Sequence, residues 1–168
     1  MQWPFETAPV AQFLKTYQRE HATTLKLLRA FPADKMDFRP SERSNTAHKL
    51  AWTFVAEETM MLKAIRNEPV FGTGQIKLPE TWDGIIEAFE KQHADVVREL
   101  EARQSETLTN KVGFFIGPKQ PGEFPAMDFL WMLLCDQIHH RGQLSVYIRM
   151  VGGKLPSIYG PTADEPWT

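Results

Sequence analysis

The sequence predicts an all-α fold, a four-helix bundle, on three observations. All twelve prolines fall in clusters, leaving proline-free stretches at 10–31, 41–68, 80–117 and 126–155. Each stretch repeats apolar residues at helical spacing, and no segment shows strand-length alternation of any strength. Proline inside a helix costs about 3 kcal/mol and pushes the preceding residue out of the helical region, so proline clusters mark helix ends.

In the first stretch Phe13/Leu14, Tyr17, His21, Thr24/Leu25 and Leu28 share a face, and Thr7 with Pro9 makes a start, which gives a helix over 8–30. In the second, Ser44 or Asn45 can cap a helix whose stripe His48, Ala51/Trp52, Val55, Thr59 and Leu62 runs to about Arg66. Thr81 caps the third, Asp83 sits favourably at its positive end, and Ile85/Ile86, Phe89, His93, Val96/Val97 and Leu100 form its inner face to near Arg103. Pro125 pre-sets the fourth, with Phe129, Leu133, Asp136, His140, Leu144, Tyr147 and Val151 on one face and Gly152-Gly153 as its stop. About twenty residues join the last two helices, enough to cross the end of a bundle, and the nearest thing to a strand there is Lys111 to Ile116. A proline-rich tail, 154–168, is expected to pack back on the surface.

Length and composition, 168 residues with 42% apolar and 24% charged, fit one domain over 1–168 and exclude disorder. A net charge of -2 supplies no field toward nucleic acid or an anionic membrane, so neither is expected as a partner. The single Cys135 rules out an internal disulfide. The longest apolar run, Phe129 to Cys135, falls far short of the roughly 20 residues of a membrane span. With no apolar signal core in Met1 to Val10, the expected location is cytoplasmic.

The chemistry concentrates in the fourth helix. Asp136 and His140, four apart on an apolar face, point two ligand atoms at one place, and His48 lies on an inward face of the second helix. Spacing alone admits a metal site, a structural Asp–His pair, or an acid/base site without metal. His21 and His93 also fall on inward stripes, where a histidine is usually a satisfied core residue but can approach a metal. Gly142, in mid-helix, suggests close approach by another helix or a ligand. Glu57 and Glu58 raise a carboxylate-bridged di-iron alternative, but that site requires Glu-x-x-His on two helices and carboxylates from two more, a set this chain lacks.

The run Asp136-Gln137-Ile138-His139-His140-Arg141-Gly142-Gln143-Leu144, with Gly152-Gly153-Lys154-Leu155-Pro156 after it and Ser44-Asn45-Thr46-Ala47-His48 before it, resembles the DinB/YfiT-like metalloenzyme superfamily. The resemblance implies an up-down-down-up bundle, commonly a homodimer, holding a divalent metal through His48, Asp136 and His140. Histidine is the family's usual residue at the position of Asp136; three histidines suit zinc or nickel, and two with a carboxylate also suit iron or manganese. It further implies a metal-dependent enzyme, a thiol-dependent transferase or a hydrolase, acting on a small molecule that can be a low-molecular-weight thiol. The competing expectation is a non-catalytic dimeric stress or binding protein whose metal is structural or vestigial.

Overall fold

The computed structural model describes residues 10–71, 77–103 and 108–168. Four helices account for most of it: α1 (Val10–Ala30), α2 (Ala47–Ile65), α3 (Trp82–Glu101) and α4 (Ala126–Met150). The expected start of the first helix on Thr7 and Pro9 lies outside the described residues. The cap of α2 is Thr46, not Ser44 or Asn45, its hydroxyl accepting from the Lys49 N–H at 3.2 Å. Thr81 caps α3 through the Gly84 N–H at 3.1 Å. Past the end of α4, Gly152 takes φ +77° and the Gly153 N–H returns to the Ile148 carbonyl at 2.8 Å, closing the helix as a glycine stop should.

The fold is not purely helical. The long connection holds an antiparallel hairpin, β1 (Lys111–Gly117) and β2 (Gln120–Pro125), with Val112 opposite Phe124 and Phe114 opposite Gly122. Its turn places Lys119 at φ 57° rather than an Asn-Gly pair, and Pro121 and Pro125 sit in a strand with only one neighbour, where their missing N–H groups cost no ladder bond. These features erased the usual strand signal. The hairpin is anchored by Phe114 and Phe124 against Phe129 of α4, with ring centroids 5.2 and 6.2 Å apart, and by the Ala126 N–H donating to the Asn110 carbonyl at 2.8 Å.

Packing puts α1 and α2 each against both α3 and α4. The core divides into two apolar clusters. One gathers Phe13, Tyr17, Met61, Val96, Leu100 and Trp131; the other gathers Leu27, Phe54, Trp82, Phe89 and Leu144. Between them every helix turns a polar residue inward: Glu20 and His21 on α1, Glu57 and Glu58 on α2, Gln92 on α3, and Gln137 and Arg141 on α4, all buried. Buried polar groups are costly unless partnered, so a polar layer through the middle of a bundle marks the level at which the fold gives up apolar packing for something else. Among the described residues no helix is long and apolar enough to cross a membrane.

Candidate metal centre

The row Leu50, Phe54, Glu57 and Met61 carries one face of α2 into the core, and Glu57, at 2% exposure, interrupts it at the polar level. Across from it, Asp136 and His140 lie one turn apart on α4. The His140 Nε2 stands 3.7 Å from Glu57 Oε1 and 3.6 Å from Asp136 Oδ2, and one ligand atom from each of the three residues lies within 4.8 Å of the other two. The opposite ring nitrogen, Nδ1, pairs at 3.1 Å with the Gln143 side-chain oxygen, whose amide nitrogen is turned to His139 at 3.0 Å. An amide oxygen only accepts, so in this pairing Nδ1 carries a proton and Nε2, which faces the two carboxylates, is the nitrogen left to ligate a metal.

The charges are coupled. Burial, then the Asp136 carboxylate and then Glu58, push the Glu57 carboxyl well above its usual range. Facing His140 holds Asp136 low, and Asp136 in return raises His140 against the opposing effect of burial. One more atom is left over: Glu57 Oε2 is buried without a hydrogen-bond partner. A carboxylate with a free buried oxygen, a second carboxylate and an oriented imidazole form a donor set that suits a divalent transition ion.

The structure therefore brings Asp136 and His140 together but does not bring His48 to them. His48 is nine residues from Glu57, which on a helix is about 180° around and about 13 Å along the axis. Asp136 and His140 also stand at the rim of the buried face of α4, not within it: Gln137 and Arg141 take the inward positions, and the Asp136 side chain is 49% exposed. Cys135 is exposed, and partial desolvation and then nearby Asp136 raise its thiol. A Cβ on Gly142 would meet nothing within 4 Å, so no close approach explains that glycine. Tyr147 donates to the Asn45 carbonyl at 3.1 Å, a tie between α4 and the start of α2. Arg141 is fully buried in an ion pair with Glu20. His21 and His93 do not reach His140; they form a second group with Glu58. Burial first, with His93 and Arg29 adding, brings His21 down to about 3, and burial brings His93 down to about 4.

Glu57 entered the sequence reasoning only through the rejected di-iron alternative, not as a partner of Asp136 and His140. Its signal was its place three after Phe54 and four before Met61, inside an apolar row.

Beside the three residues opens a groove of about 520 Å³, walled by Thr53, Met60, Phe114, Met132 and Leu133, with Glu57 and Asp136 in its lining. His140 also borders a second cleft of about 470 Å³, together with Arg43, Asn45 and Tyr147. A mostly apolar groove with a few convergent polar groups suits a small organic molecule.

A family model described as the DinB family matches residues 4–167. The uncharacterized protein YrdA of Bacillus subtilis (strain 168) is 26% identical over 154 residues, covering 91% of this chain and 89% of that protein. Two crystal structures of DinB-like proteins share the fold: one from Bacillus cereus ATCC 10987, with TM-score 0.71, 24% identity and coverage of 88% of this chain and 95% of the other. The second is YjoA from Bacillus subtilis, with TM-score 0.69, 20% identity and coverage of 88% and 97%.

Proposed function

Because the chain belongs to the DinB family, we propose that it is a divalent-metal protein of that family in which Glu57, Asp136 and His140 hold the ion and the adjoining groove receives a small-molecule substrate. The observation that carries this reading is the convergence of three donors from two helices on one point, with an unpartnered carboxylate oxygen among them. Three protein ligands leave coordination positions open, and a bound ion would act there as a Lewis acid toward oxygen or sulfur ligands, the chemistry of a metal-dependent hydrolase or thiol transferase. The chain's own residues supply the rest: Gln143 pairs with His140 Nδ1 and orients the ring, and Met60, Phe114 and Met132 give the groove its apolar walls.

The same reading includes the up-down-down-up order of the bundle. In support, one apolar cluster takes the first half of α1 and α4 but the second half of α2 and α3, while the other cluster takes the reverse halves. The pair Arg66–Glu99 likewise joins the last turns of α2 and α3.

The test is metal analysis of protein made without a polyhistidine tag. The Asp136→Ala, His140→Ala protein should hold one equivalent less of transition metal than wild type; equal content in the two refutes the ligand assignment.

A further inference from the structure

The polar layer contains a second group of donors on the other side of α2, and we propose that His21, Glu58 and His93 form a buried binding site for a divalent transition ion, separate from the one above. The residues come from α1, α2 and α3, and one ligand atom of each lies within 4.8 Å of the others. Glu58 is completely buried and His21 is 7% exposed. The two imidazoles stack with centroids 3.4 Å apart and planes 12° apart, and His21 stacks in turn on Phe89 at 4.3 Å.

The unexplained feature is what these rings do with their nitrogens. His21 Nδ1 and His93 Nδ1 are both buried without a hydrogen-bond partner. The His21 Nδ1 points across a gap of 4.0 Å to Glu58 Oε1, too long for a hydrogen bond. Orphaned buried nitrogens on two stacked imidazoles are costly as they stand, and a cation shared with the neighbouring Glu58 carboxylate would give each ring a partner. The separations are near those of a metal site, since bonds of about 2.0–2.2 Å place ligand pairs about 3.4–4.2 Å apart, and binding would swing one imidazole out of the stack so that both in-plane lone pairs meet the ion.

Glu58 is held as a metal carboxylate usually is. The Tyr17 hydroxyl donates to one of its oxygens, and the Gln137 amide donates to the other at 3.3 Å. The two imidazoles and one carboxylate suit zinc, cobalt, iron or manganese. None of the three residues lines the groove beside Glu57 and Asp136, so the ion would staple three helices rather than act on a substrate there.

The test uses the Asp136→Ala, His140→Ala protein, whose substitutions remove side chains at the rim of the buried face of α4, 49% and 21% exposed. It is unfolded in chelator, refolded with cobalt(II) or zinc(II) and desalted; a second batch is made in metal-supplemented medium and measured as purified. The expected result is one retained equivalent, a cobalt absorption band in the visible, and a melting temperature several degrees above the metal-free protein; adding Glu58→Gln should abolish all three. Retention below about 0.1 equivalent in both batches, with wild-type far-ultraviolet dichroism, overturns the proposal. If wild type then holds one equivalent, the groove site alone is real. If instead the double variant retains as much metal as wild type, the buried site stands and the groove assignment fails.

Discussion

Replacing Arg141 by methionine removes the guanidinium from a site where it is 2% exposed. Its NH2 group donates to Glu20 Oε2 at 2.7 Å and to the Tyr159 hydroxyl, its NH1 group reaches the Glu20 carbonyl at 3.1 Å, and the cation lies 5.0 Å from the centre of the Tyr159 ring. Breaking a buried pair by removing one partner costs about 3–5 kcal/mol, because the other charge stays behind unpaired. Here the two partners are not left equal. Glu20 retains Arg19, 3.0 Å away, and the Tyr159 hydroxyl at 2.6 Å, so Arg141→Met should fall at the low end, about 3 kcal/mol. Arg141, without Glu20, keeps only neutral acceptors, so Glu20→Leu should cost about 4–5 kcal/mol. At about 2–4 °C per kcal/mol for a chain of this size, the first variant should melt about 6–12 °C lower and the second lower still. The double variant, apolar on both sides, should be more stable than either single one. Urea unfolding followed by tryptophan fluorescence, with calorimetry, reads all four proteins. A larger loss for Arg141→Met than for Glu20→Leu, or losses that simply add, would show that the pair is not the closed, asymmetric unit described.

Acid should weaken the same unit. Burial disfavours an ionised Glu20, but the Tyr159 hydroxyl, Arg141 and Arg19 outweigh it and hold its carboxyl below the ordinary glutamate value. A depressed carboxyl contributes stability above its unfolded pKa and loses that contribution as pH falls through the folded value, so the gap between wild type and Glu20→Gln should stay constant from about pH 8 to about pH 5 and narrow below it; a gap that widens in acid contradicts the sign. Gly142→Ala should stabilise the protein by about 0.5–1 kcal/mol in urea titrations, since the glycine is exposed in mid-helix with open space at its Cβ; a loss of stability would reveal a contact that the monomer does not contain. Gln143→Ala should weaken metal binding at the groove by roughly 10–100-fold in competition with a chromophoric chelator without changing the number of ions bound, and unchanged affinity would remove Gln143 from its role in orienting His140.

The helices were legible because proline placement is a backbone constraint that tertiary context rarely overrides, and the four stretches it left each hold one helix. The hairpin was not, because β1 and β2 are held by a positive-φ lysine, by burial of Val112 and by partly buried Phe124 against Phe129 of α4, none of which leaves a periodic trace across Gly113, Gly117 and Gly122. In α4 the error was one of rotation. Thirteen of its residues are buried, so the apolar surface wraps most of the helix, and a stripe drawn through Asp136 and His140 fits the sequence nearly as well as the true inward row through Leu130, Leu134, Gln137, Arg141, Leu144 and Ile148. A narrow stripe can be read from spacing, whereas a wide one hides which polar residues stand at its edge.

The candidate site was half legible for a related reason. A pair at i and i+4 announces itself within one helix, and Asp136 and His140 do meet. The third donor belongs to another helix, and spacing within a chain says nothing about level in a bundle. What fixes the level is where each apolar row is broken: at His21 in α1, at Glu57 and Glu58 in α2, at His93 in α3 and at Asp136 to Arg141 in α4. Those breaks align because each sits near the middle of its helix, whichever way the helix runs. His48, in the first turn of α2, cannot belong to that layer. Glu57 and Glu58 both can, and as neighbours about 100° apart on one helix they point to different sides, one toward Asp136 and His140 and the other toward His21 and His93. Two adjacent buried carboxylates, unfavourable as a pair in a single apolar pocket, become intelligible when each is assigned its own set of imidazole partners.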